Sequence, residues 1–271
     1  VFIIQSLSNP VNENLMELLI TIDALKRASA NRITAIIPYL GYARQDRKVD
    51  SREPITAKLV ANLLNTAGAD RVFTIDLHSD QIQGFYDIPL DHFLGYPIYA
   101  AHFKKSKMKN ITIVAPDIGA AKLARDVGSL INAPIAIINK RRTGHNKMEV
   151  LNFIGEIADR EAILLDDMID TGGTITSAAN VLKENGAKKV IICASHGLFS
   201  STALERIEES AASEVVVLDT IDQGKAQSLK KTKVKVLSCS KLLADAIKRI
   251  HKNQSLGQLF DKELEKVKNG K

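Results

Sequence analysis

The chain has 271 residues, 45% hydrophobic and 25% charged, with a formal charge of +6. That is an ordinary globular composition, enough for one large domain or two smaller ones, and no apolar run approaches the ~20 residues that span a bilayer. Two cysteines exclude a disulfide framework. With aromatics at 5% and no Trp there is no aromatic-interleaved basic run for nucleic acid; small phosphorylated substrates explain the same excess of Lys and Arg, and a solvated surface explains part of it.

The opening VFIIQS reads as a buried strand entered abruptly, without an initiator Met or a signal-peptide pattern, so a chain lacking an N-terminal segment is expected. Leu15, Leu18, Leu19, Ile22 and Leu25 fall at helical spacing and predict a helix over residues 12–28. A strand over 33–38 follows, then a helix over 54–67 with Pro54 in its first turn and Gly68 as its stop, then a strand over 71–77. Pro89–Pro97, with Gly95 between the prolines, is the expected domain boundary. Beyond it come a helix at 96–105, a strand at 111–115, a helix at 120–131 and strands at 134–139 and 162–166. A helix at 174–185, Gly186 as its C-cap and a strand at 189–194 complete the pattern, and the charged end, 262–271, is expected to fray. The strands are continuous apolar runs. They therefore predict parallel strands covered on both faces, an α/β doubly wound architecture. Cys193 and Cys239 lie among apolar or small residues and read as buried, inert thiols in a cytoplasmic protein.

In such folds ligands bind beyond the carboxyl ends of the strands. The strongest candidate is the run from Ile163 to Thr174, an apolar strand that enters Asp166 and Asp167, then Asp170, Thr171, Gly172, Gly173 and Thr174. Glycines let backbone N–H groups approach an anion, and the helix start behind them adds donors and a favourable dipole. Acids beside a phosphate cradle are repulsive unless they accept from hydroxyls. A sugar carrying a cis-diol and a 5-phosphate satisfies both halves of the loop. The bland alternative is a tight turn capped by Asp170 or Thr171.

Four further groups follow predicted strands. Arg44 and Gln45 suit phosphate contact and stacking on a base, or form an exposed basic turn balanced by Asp46 and Asp50. His78 and Asp117 end strands, where a lone His or Asp is commonly a loop residue or a turn former. Lys140, Arg141 and Arg142 precede the polar Thr143-Gly-His-Asn-Lys147, a mobile basic loop or a solvated hairpin tip.

The pattern Asp-Asp-x-x-Asp-Thr-Gly-Gly-Thr resembles the ribose-phosphate loop of type I phosphoribosyltransferases and of ribose-phosphate pyrophosphokinases. The second family is singled out by Tyr39-Leu-Gly-Tyr-Ala-Arg44-Gln45-Asp46-Arg47-Lys48, Ser51-Arg52-Glu-Pro-Ile-Thr-Ala-Lys58, Asp76-Leu-His78, Gln81-Ile-Gln83-Gly-Phe, Ala115-Pro-Asp117-Ile-Gly119 and Ile138-Asn-Lys140-Arg141-Arg142. These occur in the family's order over nearly the whole chain.

The resemblance implies two phosphoribosyltransferase-type doubly wound domains with mainly parallel sheets, the first truncated at its N-terminus. Residues 1–94 would contact ATP, 95–250 would bind ribose 5-phosphate, and 251–271 would form a tail packed back on the first domain. The implied activity is transfer of the pyrophosphoryl group of Mg-ATP to the 1-hydroxyl of ribose 5-phosphate, giving phosphoribosyl pyrophosphate and AMP. Lys140 and Arg142 would be catalytic, Arg142 and the 166–174 acids, threonines and glycines would hold ribose 5-phosphate, and Arg44 and Gln45 would hold ATP. His78 and Asp117 match the family's Mg²⁺ ligands. Arg52, Gln83, Ser255 and Phe260 match positions around its regulatory site for phosphate or ADP. A homohexamer follows from the resemblance too, with neither nucleic acid nor membrane as partner. The family's acidic Phe-x-Asp-Gly-Glu element is not in this sequence, and the loop after Arg142 lacks the family's proline. A non-catalytic regulatory homologue and a phosphoribosyltransferase are the alternative readings.

Overall fold

The computed structural model describes residues 1–141, 150–228 and 232–270. They divide into two compact units, Val1–Leu94 and Gly95–Lys271.

In the first unit, β1 (Phe2–Ile4), β2 (Thr34–Ile37), β3 (Arg71–Ile75) and β4 (Leu90–Phe93) form a sheet in the order β1-β2-β3-β4, parallel throughout. Between them run α1 (Val11–Arg27) and α2 (Thr56–Ala67). The helical stripe of α1 buries Leu15, Leu18 and Ile22 in one cluster with Ala35 and Ile37 of β2, and with Val60 and Leu64 of α2. The other pleat face of the sheet is buried too, at Ile36, Phe73 and Ile75. That is why β2 reads as an unbroken apolar run, whereas the opening strand β1, expected to be buried, is an edge strand with Ile4 exposed. Gly68 closes α2 at φ 108°, and the Ala69 N–H donates to Leu64 O at 3.1 Å, the six-to-one bond of a left-handed helix stop. The helix starts at Thr56 rather than at the predicted residue 54, because Glu53 and Pro54 belong to the preceding loop.

In the second unit, α3 (Tyr96–Lys105), β5 (Ile111–Ala115), α4 (Ala121–Ile131), β6 (Ile135–Arg141) and β7 (Val150–Ile154) precede β8 (Glu161–Ile169), α5 (Gly173–Glu184) and β9 (Lys189–Gly197). Then come α6 (Ala203–Glu209), β10 (Glu214–Leu218), α7 (Gly224–Gln227), β11 (Val234–Leu237), α8 (Ser240–His251) and α9 (Gly257–Lys268). The seven strands are ordered β11-β10-β9-β8-β5-β6-β7, all parallel except β7, which runs antiparallel to β6. From β5 the chain winds outward to β6; from β8 it winds the opposite way to β9. The reversal lies between β5 and β8, and a doubly wound sheet opens its ligand crevice at such a switch point. Helices α5 and α6 bury Ile175, Ala179, Leu182, Ala203 and Ile207 in one layer with Leu164 and Ile192 of the sheet. Helices α3, α4 and α9 pack on one another as a separate layer.

Several expectations are corrected here. Strand β8 continues to Ile169, three residues beyond the predicted end, so Asp167 as well as Asp166 lies within the strand. Strand β6 likewise extends to Arg141, and the Lys140 backbone pairs opposite Leu151 of β7, so Lys140 is a strand residue and not part of a loop. The C-terminal segment does not fray where α9 runs: Val267 is 3% exposed and the Lys104 ammonium donates to Lys268 O at 2.9 Å. Within its own unit α9 packs on α3 and α4, with Phe260 edge-on to Tyr96 at 6.0 Å.

Candidate functional site

The loop from Asp170 to Gly172 joins the end of β8 to α5, and its conformation follows from its residues. Gly172 adopts φ 75°, a left-handed conformation that costs a glycine little. It is the N-cap of α5, and no side chain caps the helix there. The turn capped by Asp170 or Thr171 is therefore not what forms. Instead the Thr176 hydroxyl donates back to Gly172 O at 2.8 Å, and Thr171 and Thr174 stand exposed on either side of the glycines. An uncapped helix N-terminus behind two glycines is a fitting receptor for an oxyanion.

Asp166 and Asp167 guard the entrance. Asp166 Oδ1 accepts from the Asp167 N–H at 3.0 Å, and Asp167 Oδ1 from the Met168 N–H at 2.8 Å. Burial pushes the Asp166 carboxyl up to about 7, with the Asp167 carboxylate next in effect and Asp117 adding to it. Asp117 follows β5, on the other side of the switch point, and its Oδ1 accepts from the Ala120 N–H at 3.2 Å. A Cβ on Gly119 would lie 3.0 Å from that same oxygen. Asp167 and Asp117 thus both disfavour charge on Asp166, close to the open start of α5. Hydroxyl donors or a hydrated cation relieve that repulsion.

The loop after β9 holds this cradle in place. The Leu198 and Phe199 N–H groups both donate to Ile169 O, at 2.9 and 3.1 Å, and the Ser200 N–H donates to Asp170 O at 3.0 Å. Beneath it, the Thr220 hydroxyl donates to Ser195 O at 3.1 Å, so it accepts from buried His196 Nδ1 at 2.9 Å. The Gln223 amide donates to Gly197 O at 2.7 Å. A Cβ on Gly197 would meet the Phe199 ring at 2.6 Å, so this turn needs its glycine.

The first unit carries its own predicted residues at the carboxyl ends of β2 and β3. Arg44 and Gln45 are exposed, and Gln45 O accepts from the Ala57 N–H at 3.2 Å, closing the base of a loop that also bears Arg47, Lys48 and Arg52. Glu53 fastens that loop: its Oε2 accepts from the Val49 and Asp50 N–H groups at 2.8 and 3.0 Å, and these bonds hold its carboxyl below the usual range. His78 is exposed after β3. Its loop is shaped by Asp76 at φ 40° and by the Leu77 N–H, which donates to His92 Nε2 at 3.0 Å.

Of the remaining predictions, Gln83 lies on a 3-10 turn and donates to Asp80 O at 3.0 Å. Ser255 Oγ accepts from the Gln258 N–H at 3.4 Å at the start of α9. Arg142 and the 143–147 stretch lie outside the described residues. Among the described residues no three His, Cys, Asp or Glu side chains converge as a metal cage, and no helix is long and apolar enough to cross a membrane.

Glu53, His92, His196 and Arg206 were not found from the sequence. His92 and Arg206 act through backbone partners distant in the chain, His196 through the Thr220 hydroxyl, and Glu53 through the backbone of its own loop. The sequence signals are that Glu53 lies within the 51–58 motif and that His92 and His196 lie near strand ends; Arg206, on α6, has none. The elements after residue 194 had a plainer signal: Val215–Leu218 is as apolar a run as the strands that were read.

Comparison with known proteins supplies the family. Residues 1–68 match the N-terminal domain of ribose phosphate pyrophosphokinase, and residues 141–261 match the phosphoribosyl synthetase-associated domain. A ribose-phosphate pyrophosphokinase of Clostridium tetani is 55% identical over 263 residues, covering 96% of this chain and 82% of its own. That of Bacillus subtilis is 54% identical over 259 residues, with 96% and 81% covered. The crystal structure of phosphoribosylpyrophosphate synthetase from Mycobacterium smegmatis superposes with a TM-score of 0.86 at 44% identity, covering 93% of this chain and 82% of that one. The chain belongs to the ribose-phosphate pyrophosphokinase family.

Proposed function

We propose that this chain transfers the pyrophosphoryl group of ATP to the anomeric hydroxyl of ribose 5-phosphate. The observation that carries it is the uncapped, glycine-opened start of α5 beside Asp166, whose charge Asp167 and Asp117 both disfavour, at the switch point of the second sheet. The 5-phosphate accepts from the N–H groups of the 170–174 loop, with Thr171 and Thr174 adding hydroxyl donors. The ribose 2- and 3-hydroxyls donate to Asp166 and Asp167, which lowers the repulsion there.

The sugar O1 attacks the β-phosphorus in line. A bond forms between O1 and that phosphorus, and the bond from it to the oxygen bridging the α-phosphorus breaks. AMP leaves with that oxygen and O1 loses its proton. No covalent enzyme intermediate is needed, since such transfers rest on positioning and on neutralising spreading charge. Lys140 and Arg142 supply positive charge to the transferring group, and Arg44 and Gln45 hold ATP.

The acidic mouth also suits Mg²⁺, which takes few protein ligands and keeps several waters. Asp117 would serve as a ligand at this mouth and His78, in the first unit, is proposed as a Mg²⁺ ligand in its own right; such an ion would neutralise triphosphate charge. Arg52 and Gln83 in the first unit, and Ser255 and Phe260 in the second, are each proposed as contacts for a regulatory phosphate or ADP. Assembly as a hexamer and a cytoplasmic location complete the reading.

The test is an initial-rate assay with Mg²⁺, ATP and ribose 5-phosphate, resolved by phosphorus NMR. Expected are AMP and phosphoribosyl pyrophosphate in equal amounts, both dependent on the sugar phosphate. Formation of ADP, or of AMP without ribose 5-phosphate, would overturn the reading.

A further inference from the structure

We propose that Arg206 is a positioning residue of the phosphate loop, fixing its amide donors from outside the site and thereby setting affinity for the sugar phosphate. The inference rests on the reading of the 170–174 loop as the seat of that phosphate.

Arg206 lies on α6, and its Nη1 donates to Thr171 O at 3.2 Å. A peptide unit is planar and trans, so its C=O and the next N–H point in opposite directions. Holding the Thr171 carbonyl toward α6 therefore aims the Gly172 N–H away from α6, toward the side where an anion would be received. The same Nη1 stands 3.2 Å from where a Cβ on Gly173 would be. A Cβ on Gly172 would meet Ala203 of α6 at 3.6 Å. One short helix thus borders three consecutive loop residues, and the second glycine makes room for the guanidinium as well as for a ligand.

The tie is made at two points. The Ser200 N–H donates to Asp170 O at 3.0 Å, and Ser200 O accepts from the Ala203 N–H at 3.2 Å as α6 begins. Arg206 makes the second attachment, one residue further along the loop. Its placement is electrostatically odd for a purely structural residue, because a cation at the start of α5 opposes the helix dipole. A bound dianion removes that conflict. Arg206 also adds to the positive field without occupying the site.

The test uses the full chain carrying Arg206→Met or Arg206→Lys, with ribose 5-phosphate binding measured by calorimetry alongside ATP binding and thermal melting. Removing a charged hydrogen bond should weaken ribose 5-phosphate about tenfold in the Met variant. The Lys variant, which keeps charge and one donor, should recover part of that loss. ATP affinity should change by less than about twofold, as expected for a contact confined to one substrate's loop. Unchanged ribose 5-phosphate affinity in Arg206→Met, or equal losses for both ligands with a lowered melting temperature, would overturn the proposal. Thr171→Val separates the two layers of argument. If it weakens ribose 5-phosphate while Arg206→Met does not, the loop reading stands and the role of Arg206 falls. If neither variant has an effect, or the wild-type chain does not bind the sugar phosphate, both fall.

Discussion

Asp166 holds its proton to about 7 because burial, Asp167 and Asp117 all disfavour its charge. An unfolded aspartate titrates near ~3.9. Between those values the folded chain binds the extra proton, so stability falls as pH rises, and the penalty is complete above about 7. Asp166→Asn removes the charge and keeps the shape. It should raise the melting temperature at pH 8 by several degrees, roughly 1–3 kcal/mol, and leave it nearly unchanged at pH 4. The same variant should weaken ribose 5-phosphate binding, because an amide offers one fewer acceptor oxygen to the sugar diol. A melting series from pH 4 to 8 checks the first expectation and a calorimetric titration the second. A residue whose removal stabilises the fold while costing ligand affinity is held there for the ligand. Gly41 is a different case: a Cβ there would lie 2.5 Å from Leu7 O, so packing requires that glycine.

Among the elements, α9 departs most from its sequence reading. Seven of the ten residues of 262–271 are Lys, Glu or Asn, which is why the end reads as solvated. Its apolar positions are sparse, yet Leu259 and Val267 are 2% and 3% exposed. They fall eight residues apart, on one face of a helix, and that face meets α3 and α4. Leu259→Ala should therefore destabilise the second unit by about 2–5 kcal/mol, seen as a lower urea midpoint with little change in slope. A change below about 0.5 kcal/mol would mean that α9 is a loosely attached tail. Strand β8 shows the complementary error. Its apolar run ends at Leu165, but backbone pairing with β9 carries it on to Ile169. Asp166 thus sits at a strand position opposite Ala194, where the sheet fixes its direction.

At the scale of the whole chain, the two units differ in what ribose 5-phosphate should do to them. A ligand that binds only the folded state at a hundred times its Kd stabilises by about 2.7 kcal/mol. Bound at the β5–β8 switch point, ribose 5-phosphate should slow amide hydrogen exchange in β5, β8 and the start of α5. Peptides of the 1–94 unit should be unaffected by the sugar phosphate alone. Protection spread equally over both units would move the site away from the 170–174 loop.

The alternation of strands and helices, the parallel sheets and the glycine turn that opens α5 were legible because each is written in local chemistry. Apolar runs, helical spacing and paired glycines act within a few residues of one another, so the sequence by itself determined them, along with the family. The hairpin strand β7 and the short α6 were not legible, since five and seven residues carry too little periodicity to stand out. Strand order was beyond local pattern altogether. Only the tertiary structure decided that β5 lies beside β8, bringing Asp117 within electrostatic reach of Asp166 from nearly fifty residues away. It alone set Arg206 against Thr171, and His92 under the His78 loop. Those pairings depend on how the chain winds back across its sheets, and hydrogen bonds between residues so far apart leave no trace in the spacing of either segment.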